Sequence, residues 1–288
     1  MSGTIEVRRA RPLLGTLVEI AAHGAPREQI MTAIDRAFAA IECVHRLMSF
    51  HEAHSDVSCI NRRAHRVPVQ VHPWTWRVLR EALRLSRATR GAFDVTVADR
   101  LVRWGYLPRA TAQIASARSG DWRDVRLLAG HRVRLARPVL IDLGGIAKGF
   151  AVDRAVAALR NHGSASGLVN AGGDLRAFGA LAHVVYLRHP ASPGKLLPAF
   201  ELVSGALATS ADYFARRSWR GEAVAPIILR NRRTRIMSAS VTVEARTCML
   251  ADALTKICLL SGSGLVRRLG GRALVLRPGD ASMCPVAA

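Results

Sequence analysis

Lysine is nearly absent from this 288-residue chain: of 42 basic residues only Lys148, Lys195 and Lys256 are lysine, and arginine fills every other cationic position. A lysine here marks a place that wants a compact ammonium with three rotatable donors, where a planar guanidinium fork does not serve. Acids are scarce too, 21 against those 42 bases, leaving a formal charge of +21. Such a field draws anions of many kinds, phosphorylated cofactors among them. Aromatic residues make up only 5% of the chain and do not interleave with the arginines, which scatter through the predicted elements apart from a short cluster at residues 230–235. That argues against a base-stacking platform, so the charge reads as compositional bias and no nucleic acid is expected as a partner.

The cysteines, at positions 43, 59, 248, 258 and 284, are odd in number and form no Cys-x-x-Cys pair. This argues against a disulfide framework or a structural zinc site and for free thiols in a reducing compartment. There is no apolar signal core or lipobox at the start, and no run long and apolar enough to span a bilayer. The expectation is a cytoplasmic protein with no integral membrane segment. Half the residues are apolar and polar low-complexity tracts are missing. The length suits one large domain or two closely joined ones, taken here as a single domain over residues 1–288.

Against this background the stretch at residues 139–153 stands out. An apolar run, Gly144 and Gly145, then Lys148 and apolar residues at helical spacing predict strand, tight turn and helix. Paired glycines let backbone approach a ligand, a helix start offers N–H donors, and Lys148 adds a charge, which together suit a phosphate. The same pattern also describes an ordinary strand-to-helix turn with a surface lysine.

Elsewhere, residues 4–7 and 13–22 predict a hairpin with Gly15 at a bulge or close approach, and Ile30, Ile34, Phe38, Ile41 and Leu47 mark a long amphipathic helix. Residues 51–61 read as a loop whose Ser55, Asp56, Ser58 and Asn61 either bond their own backbone or reach a ligand; its histidines and Cys59 lack metal-ligand spacing. Helices are expected over 73–88, around 110–117 and 121–128, and over 250–260, the last carrying Asp252, Thr255 and Lys256. Residues 91–97 form either a buried turn or an extended segment with Asp94 and Thr96 on one side. A helix closes at Gly163, and residues 168–179 run as strand, double-glycine break and strand. Further strands are expected at 184–188, 200–203, 205–210, 227–229, 240–244 and 272–276.

Residues 12–16, Met48-Ser49 with Asn61, 91–97, 142–153, Gly172-Gly173-Asp174, 208–213 and 241–253, in this order, resemble the ApbE family of FAD:protein FMN transferases. The resemblance covers about residues 11–260. It implies an α+β fold with mixed sheets and flanking helices that binds FAD in a cleft. It further implies a Mg²⁺-assisted transfer of the FMN half to a Ser or Thr hydroxyl of an acceptor protein, with AMP leaving. By motif match, Met48, Ala92, Phe93, Asp94, Asp142 and Lys148 would touch FAD and Ile228 would lie against the flavin. The backbone carbonyl of Gly145 and Asp252 would bind the metal, and Asp252 and Lys256 would act in catalysis.

Two positions depart from the family pattern. Four residues after Asp252, where members usually carry a metal-binding Thr, stands Lys256, with Thr255 roughly 100° around the helix. Lys256 is expected to pair with Asp252 and stand in for the metal; otherwise it points to solvent and Thr255 or water completes a Mg²⁺ site. The family segment His-x-Ile-Asp-Pro-x-Thr-Gly corresponds to Pro226-Ile227-Ile228-Leu229-Arg230 and Arg233-Thr234-Arg235, and no histidine follows His189. An alternative reading is therefore an FAD-binding relative that has lost transfer. The family's usual secretion signal is absent as well.

Overall fold

A computed structural model of the chain describes residues 6–109, 120–211, 215–228 and 239–280. It opens with β1 (Val7–Leu13) and β2 (Thr16–His23), joined through Leu14 and Gly15 at φ 56° and 72°. Two residues of positive φ give the turn whose twist suits a hairpin, so Gly15 makes the turn itself and no bulge. The first strand runs through Pro12, where the expected strand at 4–7 stopped short. Pro12 is tolerated because β1 lies at the sheet edge, where a missing ladder donor costs little. Arg9 and Arg11 of this strand both donate to Asp35 Oδ1, at 2.7 and 2.8 Å.

The long helix α1 (Arg27–Met48) carries Asp35 and buries the stripe Ile30, Ile34, Phe38 and Ile41, continued by Val44 and Met48 where Leu47 was expected. Then come α2 (Asp56–Arg63), β3 (Val69–Gln70), α3 (Pro73–Ala88), α4 (Ala98–Arg103), β4 (Val125–Leu128), β5 (Arg132–Leu135) and α5 (Ala147–Asn161). The remainder is β6 (Ser166–Ala171), β7 (Asp174–Phe178), β8 (His183–His189), β9 (Ser192–Leu202), β10 (Gly205–Ala211), β11 (Arg217–Trp219), β12 (Glu222–Val224), β13 (Ser240–Ala245), α6 (Cys248–Ser261), α7 (Ser263–Arg268) and β14 (Gly271–Leu276).

These elements form two compact units, one from Met1–Cys43, Lys148–Tyr213 and Met237–Ala288, the other from Val44–Ala147 and Phe214–Ile236. The first is built on a seven-stranded sheet ordered β1-β2-β6-β7-β10-β13-β14. Every strand pair among the described residues is antiparallel, and hairpins such as β1–β2 and β6–β7 fix the direction of their neighbours. The helix α6 lies on β10 and β13 and buries Ala251, Leu254, Ile257 and Cys258. Gly163 follows α5 at φ 88°, the left-handed cap read from the sequence.

The second unit differs more from the sequence reading. Residues 56–63 are helical, capped by Ser55, whose Oγ accepts from the Ser58 N–H at 3.1 Å, where a loop was expected. The apolar run at 139–143 joins no sheet; its backbone is bonded by the Asn61 side chain and by the Val95 carbonyl. Residues 91–97 bend and turn rather than extend. A single 3₁₀ turn at Trp122–Asp124 and then β4 replace the helix expected over 121–128. The small hairpin β11–β12 was not anticipated. Expectations on residues 110–117, 213 and 229–235 lie outside the described residues.

Candidate functional site

In the first unit the site begins with a missing side chain. A Cβ on Gly149 would sit 2.2 Å from the Cys248 carbonyl oxygen and 2.8 Å from the Met249 nitrogen, so α5 and α6 meet backbone to backbone. That approach carries the Gly149 N–H to Asp252 Oδ2 at 3.0 Å. One turn along α5, Asp153 accepts from the Cys248 and Met249 N–H groups, both at 2.9 Å, and from Arg176 Nη1 at 2.6 Å. A carboxylate at a helix start answers both its unpaired amides and its dipole.

On this frame stand four charges. Lys256 Nζ donates to Asp252 Oδ1 one turn back on α6, and Asp252 is 0% exposed. Lys148 Nζ donates to Asp174 Oδ2 at 2.5 Å, with the Asp174 side chain 1% exposed. Asp174 starts β7 directly after the turn Gly172-Gly173, whose φ angles are 63° and 96°. Thr16 fills the space a Gly172 side chain would need, its Oγ1 2.4 Å from that position, and Asn170 Oδ1 accepts from the Gly173 N–H at 3.0 Å. The glycine pair thus serves a hairpin that sets the aspartate.

Burial drives the electrostatics. Desolvation pushes the Asp174 carboxyl up to about 6, with the Asp252 charge adding and Lys148 opposing. For Asp252 burial also favours the neutral form, but Lys256, Lys148 and the Gly149 amide outweigh it and hold the carboxyl below its ordinary range. Burial alone would lower the Lys148 ammonium; Asp174 and Asp252 reverse that and raise it. Desolvation, then the neighbouring acids, raise the Cys248 thiol well above its usual value, which makes it an inert core residue.

In the second unit, polar side chains hold backbone. Asn61 Nδ2 donates to the Ile141 carbonyl at 3.0 Å and its Oδ1 accepts from the Ile141 N–H at 2.8 Å. The next amide, of Asp142, donates to the Val95 carbonyl at 2.8 Å. Asp142 Oδ2 accepts from the Gly144 N–H at 3.1 Å, lying where a Gly144 side chain would stand. Burial raises the Asp142 carboxyl, against the Gly144 amide and the charge of His51. Asp94 Oδ1 accepts from Thr96 N and Oγ1 at 2.8 and 2.7 Å, and its Oδ2 from the Trp122 N–H at 3.2 Å. Met48 and Phe93 are buried, Ala92 and Gly145 half-buried, and Ile228 packs with Leu101, Trp104 and Val224.

Of the residues singled out in the sequence, the structure therefore brings Lys148, Asp252 and Lys256 into one charged cluster. It ties the Asp142 backbone to Val95, the residue after Asp94. Asp174, the counter-charge of Lys148, and Ser210, which shares a hydrogen bond with Thr255, were not proposed as site residues. Gly172-Gly173-Asp174 was the available signal for the first. The expectation of free amides at the start of α5 is narrowed, since those of Gly144, Ile146, Ala147 and Gly149 have partners within the chain.

The cluster is a poor match for a divalent metal. Asp252 meets an ammonium on one oxygen and an amide on the other. Thr255, 0% exposed, donates to the Asp252 carbonyl at 2.7 Å and pairs with Ser210 at 2.7 Å, so its hydroxyl is turned inward. Among the described residues no three His, Cys, Asp or Glu side chains are grouped to hold a metal ion. Mg²⁺ asks for near-octahedral oxygen, which a lysine nitrogen does not supply.

Comparison with known proteins gives this geometry its setting. A relative from Vibrio cholerae, named FAD:protein FMN transferase, is 28% identical over 278 residues, 89% of this chain and 82% of its own. One of the same name from Haemophilus influenzae is 30% identical over 75% of this chain and 69% of its own. Another, from Treponema pallidum, is 29% identical, and there the match spans about half of the relative, 52%. The crystal structure of the ApbE protein of Thermotoga maritima superposes with a TM-score of 0.84 at 26% identity, covering 99% of this chain and 97% of that one. The flavin transferase ApbE of Vibrio cholerae shares the fold with a TM-score of 0.76 at 24% identity, over 98% and 100%. The ApbE family model matches residues 14–272, nearly the whole chain, and the chain belongs to the ApbE family.

Proposed function

We propose that the chain is an FAD:protein FMN transferase. It binds FAD, breaks the phosphoanhydride bond between the two phosphates, and joins the FMN phosphorus to a Ser or Thr hydroxyl oxygen of an acceptor protein. AMP leaves, and the hydroxyl proton is lost. The observation that carries this reading is the extended similarity to relatives of that name, at 28% and 30% identity over most of both partners.

The chain's residues suit the task. Phosphoryl transfer asks chiefly for positioning and for charge stabilisation of the phosphates. Lys148 is anchored by a buried acid, and Lys256 sits in the same cluster. Met48, Ala92, Phe93, Asp94, Asp142 and Ile228 are proposed as FAD contacts on the family resemblance, and within their own unit Asn61 and Asp142 brace the backbone at 141–145. Mg²⁺, if bound to the phosphates, would supply charge neutralisation, but Asp252, met by Lys256 and the Gly149 amide, is not disposed to hold it. No histidine follows His189, so transfer is expected to run about 10²- to 10⁴-fold slower than with a positioned acid–base group.

Intact-mass spectrometry of an acceptor protein coexpressed with the chain tests the proposal, with AMP release measured alongside. Covalent FMN on a Ser or Thr is the expected result. Bound FAD that yields neither product would show a binding protein without transfer. Lys148→Ala should weaken FAD by about 1.5–3 kcal/mol and leave riboflavin unaffected, since only the phosphates lose a partner. Equal weakening of both would place the lysine elsewhere than on the phosphates.

A further inference from the structure

Two of the chain's three lysines fall in one cluster, in a sequence that otherwise meets its cationic needs with arginine. Each ammonium is anchored from behind by a buried carboxylate, Lys148 by Asp174 and Lys256 by Asp252, and each remains partly exposed, at 30% and 23%. An ammonium has three donors, and one hydrogen bond each is seen among the described residues, so two N–H groups per lysine remain for a ligand. The amide of Gly149, the residue after Lys148, donates to Asp252 Oδ2 at 3.0 Å, which sets the two pairs side by side, and Lys148 feels the charge of Asp252 and Asp174 that of Lys256. Asp174 Oδ1, also buried, has no hydrogen-bond partner among the described residues. The array is formally neutral, with its acids inside and its ammonium donors toward the surface.

We propose that Lys148 and Lys256 form a two-ammonium receptor for the diphosphate of the bound nucleotide, with Lys256 as the resident cation in place of a divalent metal, so that binding needs no Mg²⁺. This rests on the FAD reading above. A metal ion approaching Asp252 Oδ1 would meet the Lys256 ammonium on the oxygen it needs, and like charges repel. The Thr255 hydroxyl gives no substitute, being committed to the Asp252 carbonyl and Ser210. A fixed ammonium contributes what the metal would to the ground state, charge neutralisation and oxyanion donors, without an ion that must be captured from solution.

Fluorescence titration of the whole protein with FAD, in EDTA and in excess Mg²⁺, tests the inference. The wild type should bind FAD with affinities that differ less than about twofold between the two buffers, while titration of Mg²⁺ alone shows no saturable heat. Lys256→Thr should lose roughly tenfold or more in EDTA and recover in Mg²⁺; Lys256→Met, which keeps the packing without the charge, should weaken FAD in both buffers. Riboflavin affinity should be unchanged in either variant. Wild-type affinity that falls tenfold or more in EDTA would overturn the inference even if the variants fail to fold, and so would unchanged FAD binding in Lys256→Met. An absence of FAD binding in both buffers would instead overturn the FAD reading itself.

Discussion

In the unit built on the seven-stranded sheet, Lys148, Asp174, Asp252 and Lys256 bond largely to one another, whereas in the other unit Asn61, Asp94 and Asp142 turn their polar atoms chiefly onto backbone. The first arrangement fixes charge and the second fixes shape. A charged pair in low dielectric depends on both members, because either one left alone keeps its full desolvation cost. A side chain that braces backbone is replaceable only by one that presents the same donors and acceptors.

Removing one member of a charge pair should break the contrast most visibly. Asp252→Ala leaves Lys256 and the Gly149 amide without their partner and should cost about 3–5 kcal/mol in denaturant unfolding. A loss under about 1 kcal/mol would mean that the cluster is no more than a surface ion pair. In the second unit Asn61→Ala orphans both polar groups of Ile141 and should cost about 2–3 kcal/mol. Asn61→Asp, which keeps the acceptor and loses the donor, should fall in between.

Acidity sharpens the comparison further. With its carboxyl pushed up to about 6, Asp174 keeps a proton in the folded chain that the unfolded chain releases near pH 4. Between those values the native state binds more protons, so this group makes stability fall as the pH rises. Asp252, held low, works in the other direction: its contribution is present above about pH 4 and is lost only as the pH drops through its lowered folded value. Asp174→Asn should remove a downward slope of at most about 1.4 kcal/mol per pH unit, read from urea midpoints between roughly pH 4 and 6. Identical slopes in wild type and variant would show that the carboxyl stays ionised. Ser55→Ala removes a helix cap and no charge, and should cost about 1 kcal/mol at every pH; a cost that varies with pH would tie α2 to the charged residues.

What the sequence disclosed follows how far apart the partners lie. Lys256 and Asp252 are one helical turn apart, and their pairing follows from helix periodicity alone. Lys148 and Asp174 are 26 positions apart, and only the return of β7 brings them together, so the sequence marked the lysine as a site residue and the aspartate only as the end of a double-glycine motif. The stripe of α1 and the cap at Gly163 were legible because period and conformational freedom are local properties. The run at 139–143 has the composition of a buried strand, yet a strand also needs a neighbour, and here Asn61 from a distant helix takes that place. Residues 56–63 were obscured by their polarity; Ser55 followed by Asp56 was a helix-start signal that the surrounding turn formers masked.

The strand β1 also bears on how the protein behaves when concentrated. An open sheet edge is a template onto which another molecule can add a strand, the first step of many aggregation routes. Here Pro12 interrupts the ladder, and Arg9 and Arg11, drawn down onto Asp35, set charge along the same strand. A second copy offering its own strand would meet a gap in the donors and a fixed pair of guanidinium groups. On this side the sheet ends in a way that disfavours self-association, and the arginine-rich composition that has no evident part in the chemistry does this work at its border.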